Sequence, residues 1–142
     1  MLRLFLGAAL IDGVSDEMRK DSYLVVDPGK GTLVEVGQGR PREWLGRIDR
    51  EWVTDLEGAW VVPGLIDCHT HCMRDGSPDP DSIIRSEPVE MVALRVLRNA
   101  QRHLRVGITT IRDNGSPGLC AVAAKRAIDM GLFQGPFMMV SG

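Results

Sequence analysis

The chain has 142 residues, 44% of them hydrophobic and 25% charged, a balance that excludes a disordered segment and allows one domain, or a small domain plus part of another. A formal charge of -2 and the lack of any basic cluster with interleaved aromatics argue against nucleic acid or an anionic membrane as a partner. Three cysteines with no CxxC pair fit a reducing compartment better than a disulfide framework, so the expected location is cytoplasmic.

The first predicted element is a strand over Leu4 to Ile11. Its apolar run after one positive charge is too short to span a bilayer and reads as buried β-structure entering the Asp12-Gly13 turn. Further strands are predicted over Ser22 to Asp27, Thr32 to Val36 and Trp52 to Leu56, separated by Pro28-Gly29 and the Gly37 to Pro41 stretch. Glycine and proline there supply turn chemistry. Residues 1–58 therefore read as a small β-rich domain.

From Ala59 the pattern becomes strand, helix, strand, helix, strand. Trp60 to Cys68 is the first strand, followed by a turn-rich loop from Arg74 to Asp81. Ser86-Glu87-Pro88 is expected to open a helix, with Ser86 as N-cap and the proline in the first turn. Val89, Val92, Val96, Ala100 and Leu104 form its apolar stripe, and Gly107 ends it in the left-handed conformation. Ile108 to Arg112 is the second strand. A second helix is expected to bury Leu119, Val122, Ala123, Ala127 and Met130, and Phe137 to Val140 begins the third strand. This alternation implies an α/β fold with parallel strands.

The chemistry is concentrated in Val62-Pro63-Gly64-Leu65-Ile66-Asp67-Cys68-His69-Thr70-His71. On a regular strand Asp67, His69 and His71 share one face, and Cys68 and Thr70 share the other. Two imidazoles about 7 Å apart at their backbones can converge on one cation at roughly 2.0–2.1 Å. A bare His-x-His is weak by itself, since such pairs also occur as polar strand ends without a ligand.

The neighbouring residues add specificity. Pro-Gly-Leu-Ile-Asp-x-His-Thr-His after a β-rich segment resembles the opening of the barrel in the amidohydrolase superfamily. Arg105 to Gly115 and Gly131 to Pro136 are similar to its imidazolonepropionase-like and Xaa-Pro dipeptidase-like branch, as are Ala9 to Gly13 and Val34 to Gly37. The resemblance implies an incomplete metal-dependent hydrolase (β/α)8 TIM barrel, first three strands only, over residues 59–142. It also implies one or two divalent metals, usually zinc, with His69 and His71 as first-strand ligands. The implied reaction is hydrolysis of a C–N bond in a small amide or peptide through a metal-activated water.

Other residues keep two readings. Asp67 either touches metal or makes a hydrogen bond that orients the ligands, the position before the first histidine favouring the second. Arg112 and Asp113 either line the substrate pocket or pair with each other. Cys68 is expected to pack, Cys72 is a minor candidate ligand, and His103 lies on a helix. The family takes further His, Lys or Glu and Asp ligands from later strands, for which this sequence has no matching positions. The expectation is thus a truncated chain, inactive alone, with a homo-oligomer or a complementary chain as possible assemblies. The alternative is a non-catalytic fragment or assembly partner. A doubly wound nucleotide-binding domain fails on the missing G-x-G-x-x-G turn.

Overall fold

The structure is a computed structural model describing residues 1–141. It divides into two compact units, Met1–Pro63 and Gly64–Gly142. No helix in the described residues is long and apolar enough to cross a membrane.

The first unit holds β1 (Arg3–Leu10), β2 (Arg19–Asp27), β3 (Thr32–Gln38), the single-turn helix α1 (Arg42–Leu45), β4 (Val53–Asp55) and β5 (Trp60–Val61). The sheet order is β3-β2-β1-β4, with β5 also pairing with β1. β1 and β3 lie antiparallel to β2, while β4 and β5 run parallel to β1. The first two predicted turns are held by aspartates. Asp12 Oδ1 accepts the N–H groups of Val14 and Ser15, each at 2.9 Å, and Asp27 Oδ1 accepts those of Gly29 and Lys30 at 3.0 and 3.2 Å. Such Asx turns reverse the chain without needing a core contact. Leu4, Val25 and Ile48 are buried together, with Trp44, Trp52 and Tyr23 packed around them.

The second unit holds β6 (Leu65–Thr70), α2 (Pro80–Ser86), α3 (Val89–Arg105), β7 (Ile108–Asp113), α4 (Cys120–Asp129) and β8 (Phe137–Val140). β6, β7 and β8 form a parallel sheet in that order. Helices join successive strands because parallel neighbours need a crossover. Val92, Val96, Leu97 and Ala100 of α3 meet Cys120, Ala121 and Ala124 of α4 over Ile111 and Met138. The opposite face of the sheet is open, with Ile66, Phe137 and Met139 each more than half exposed. The sheet is not closed into a barrel.

Three expectations are corrected here. The predicted strand from Trp60 to Cys68 is two strands, because Trp60 and Val61 pair with Ala9 and Leu10 of β1 and so belong to the first sheet. The boundary therefore falls at Pro63 rather than 58. Ser86 is not the N-cap of α3. It ends α2, a helix that the loop prediction overlooked, whose N-cap Asp79 accepts the Ser82 N–H at 3.0 Å, with Pro80 in the first turn. Pro88 then holds Glu87 extended at φ -91°, ψ 145°, which separates the two helices. The third correction concerns α4, whose buried residues are Cys120, Ala121 and Ala124, while Leu119 and Met130 are exposed. Gly107 does follow α3 with φ +87°, as expected.

Candidate metal centre

The site starts at an irregularity in β6. In the β6–β7 register Asp67 lies beside Ile111 and Thr70 beside Asp113, with a shift between them. Neighbours in a parallel register point the same way. Ile111 and Asp113 are 0% and 1% exposed and face the helix layer, so Asp67 and Thr70 face it too, although three residues apart. A bulge absorbs the extra residue. Strict alternation placed Asp67 on the face of His69 and His71, and the bulge moves it to the other. Its Oδ2 lies 3.8 Å from Nε2 of His103 on α3, while its Oδ1 accepts the His69 backbone N–H at 3.0 Å.

His69 and His71 remain together. Their ring centres are 5.5 Å apart and the planes cross at 73°. Two imidazoles bonded at about 2.1 Å to one tetrahedral ion have ring centres roughly 5 Å apart, so the pair fits two corners of such a site. His71 Nδ1 lies 3.1 Å from the Gly115 carbonyl oxygen. A carbonyl only accepts, so Nδ1 carries the proton and the Nε2 lone pair is left for a cation. Among the described residues no group of three or more His, Cys, Asp or Glu side chains comes together to hold a metal. Both rings lie at the carboxyl end of a parallel strand, where α/β folds carry their chemistry.

Arg112 and Asp113, expected either to line the substrate pocket or to pair with each other, form no ion pair, one being exposed and the other buried. Arg112 is exposed and lies beside Met139 on the open face of the sheet. Asp113 is 1% exposed. Its Oδ2 accepts the Cys72 N–H at 2.7 Å and its Oδ1 accepts the Gly115 N–H at 3.1 Å. A carboxylate enclosed in this way has no surface to offer a ligand.

A family model described as "Amidohydrolase family" matches residues 60–142. The chain belongs to the amidohydrolase family. An imidazolonepropionase of Pseudomonas aeruginosa (strain LESB58) is 32% identical to it over 120 residues, which is 84% of this chain and 28% of that protein. One of Pseudomonas fluorescens (strain Pf0-1) is 35% identical over 97 residues, 68% of this chain and 23% of the relative. Among solved structures, a Xaa-Pro dipeptidase with bound methionine in the active site superimposes with a TM-score of 0.79 at 26% identity, covering all of this chain and 33% of its own. A prolidase complexed with N-methylphosphonate-L-proline gives 0.76 at 26% identity, covering all of this chain and 32% of its own. This amidohydrolase chain therefore spans about a third or less of the relatives it matches.

The remaining candidates in the amidohydrolase chain fall into place by burial. Cys72 is 1% exposed within the helix-side core, and burial, then the Asp113 carboxylate, push its thiol up to about 12. It packs there against the side chains of the helix-side core. Cys68, expected to pack, is exposed. Two contributors escaped the sequence reading. Asn99, 5% exposed, donates Nδ2 to the carbonyls of Cys72 and Arg74 at 2.8 and 2.9 Å. Its signal was an amide beside the apolar stripe of α3, between Val96 and Ala100. Gly115 acts through its carbonyl, which no side-chain pattern reveals.

Proposed function

We propose that this chain forms the opening strands of a (β/α)8 barrel in a metal-dependent amidohydrolase that cleaves C–N bonds of small amides or peptides. His69 and His71 are its first two metal ligands. The observation that carries the reading is the pair of rings 5.5 Å apart, with the His71 proton committed to Gly115 and its Nε2 free. A pair of imidazole donors suits zinc. A divalent cation held there supplies a Lewis acid that polarises a carbonyl oxygen and activates water.

The chain's own residues do the remaining work. Asp67 holds the backbone of His69 through its N–H and acts as an orienting partner rather than a ligand. Arg112, exposed on the open face, offers a forked guanidinium suited to the carboxylate of an amino-acid or dipeptide substrate. Support for that substrate class comes from two similar structures, a Xaa-Pro dipeptidase with bound methionine and a prolidase complexed with N-methylphosphonate-L-proline.

The second reading is a non-catalytic fragment or assembly partner. It is favoured for the isolated chain by the absence of a third ligand among the described residues. Zinc titration of the full chain with imidazole resonances observed, beside an Xaa-Pro dipeptide assay, tests both. We expect zinc to shift His69 and His71 together, to leave His103 alone and to produce no turnover. If neither His69 nor His71 responds to zinc, the metal assignment is lost. Turnover above the zinc-only control would remove the second reading.

A further inference from the structure

We propose that Asp113 is a positioning residue that sets the ring of His71. One buried carboxylate holds both the backbone that carries this ring and the backbone carbonyl that orients it. The inference rests on reading His71 as a metal ligand and adds the group that prepares it.

The hydrogen bonds form a closed circuit. Asp113 Oδ2 accepts the N–H of Cys72, the residue next to His71, at 2.7 Å. Asp113 Oδ1 accepts the N–H of Gly115 at 3.1 Å. The carbonyl of Gly115 accepts from His71 Nδ1 at 3.1 Å. The chain after β6 and the chain after β7 are thereby tied to one side chain, and the ring between them has its free nitrogen chosen for it. Asn99 completes the hold by donating to the Cys72 carbonyl at 2.8 Å, so this residue is gripped at both its N–H and its C=O. Asp113 is itself tethered, its carbonyl accepting the N–H and Oγ of Ser141 at 3.1 and 3.3 Å.

The local backbone shows the same purpose. Gly115 has φ +134°, a conformation that disfavours side chains, yet a Cβ there would meet nothing closer than Ser141 Oγ at 3.9 Å. Glycine is needed to aim the carbonyl at His71, not to make room. Residues that orient a ligating imidazole through its other nitrogen fix its tautomer and direction. Here the orienting acceptor is a peptide carbonyl, and Asp113 is what holds that carbonyl still.

A role confined to loop stability would leave the ring's proton free to redistribute, so the tautomer of His71 is the deciding readout. Two-bond proton–nitrogen correlation spectra of the metal-free full chain, at about pH 8.5 where an ordinary imidazole is neutral, report it directly. The native chain should show a single Nδ1–H pattern for His71. Asp113→Asn should lose that pattern, with His71 turning to a mixture of both tautomers. His103, whose Nδ1 lies 2.9 Å from the Asn99 carbonyl, should stay Nδ1–H and serves as the folding control. An unchanged His71 pattern beside an unchanged His103 overturns the proposal. If the variant loses both patterns by unfolding, amide exchange in the native chain decides. Slow exchange at Cys72 and Gly115 supports the clamp, and exchange at the rate of open loop amides overturns it. Failure of zinc to bind the native chain would instead strike the metal reading, leaving the tautomer result to stand by itself.

Discussion

At the scale of single residues, close contacts explain identities that a pattern alone leaves open. The glycine of Pro63-Gly64 is one. A Cβ at Gly64 would run into the side chain of Thr109 on β7, so the strand that carries the histidines reaches its neighbour only without a side chain there. Gly64→Ala should destabilise the chain by about 1–3 kcal/mol through overpacking. Combining it with Thr109→Ala should restore part of the loss, since the clashing Oγ1 and Cγ2 are then gone. Urea midpoints of the two single variants and the double variant give the coupling, and strict additivity would argue against the contact. The thiols offer a second check. Cys68 is exposed, while Cys72 and Cys120 are buried. A thiol reagent should label one cysteine in the native chain and all three in denaturant. Fast labelling at Cys72 would contradict its place in the core.

Between residues and the whole lie the helices, where amphipathic reading succeeded once and failed once. In α3 Val92, Val96 and Ala100 of the expected stripe are buried, while Val89 at its start is exposed and Leu104 near its end is half-buried. The helix is long, and only one face carries enough aliphatic bulk to cover a sheet. In α4 the small residues Ala121 and Ala124 face inward beside Cys120, because a short helix packed against α3 is admitted by its small side. Larger side chains at Leu119 and Met130 stay outside, 67% and 64% exposed. Val96→Ala should therefore cost about 2 kcal/mol, and Leu119→Ala less than about 0.5 kcal/mol. Equal losses in chemical denaturation would reverse the assignment of faces. α2 and the segment before it hang on Arg95, whose guanidinium bonds Asp75 at 2.9 Å and grips Glu87. Arg95→Met should make residues 74–88 the first site of limited proteolysis while the α3 core remains protected. Unaltered cleavage would show the ion network to be dispensable.

For the molecule as a whole, carboxylates set the acid limit. The N–H groups of Ser15 and Val14 hold Asp12 below the usual carboxylate range, and the Tyr23 hydroxyl does the same for Glu35. Asp75, which accepts the Ser77 N–H at 3.2 Å, is lowered likewise. A folded-state pKa lowered in this way contributes stability that is present above the unfolded values of about 4 and lost as pH falls through the folded ones. Urea midpoints should hold steady from neutral pH down to about 5 and then decline below about 4. A flat profile down to pH 2 would mean that these bonds carry no net stability.

Much of this architecture was legible in the amino-acid order. Turn glycines and prolines, β-branched runs and the α3 stripe act within a few residues, so the strands β1, β2, β3, β7 and β8 and the helix α3 lie close to where local chemistry predicts. The Pro-Gly-Leu-Ile-Asp-x-His-Thr-His run and the histidine pair were legible for the same reason. What the order of residues left undetermined depends on partners far along the chain. The pairing of Trp60 and Val61 with β1 moved a boundary, and the bulge in β6 turned Asp67 from the histidines toward α3. The enclosure of Asp113 by the N–H groups of Cys72 and Gly115 joins two separate loops. Each is a choice of neighbour across space, made by register and burial, and no window of sequence contains both neighbours at once.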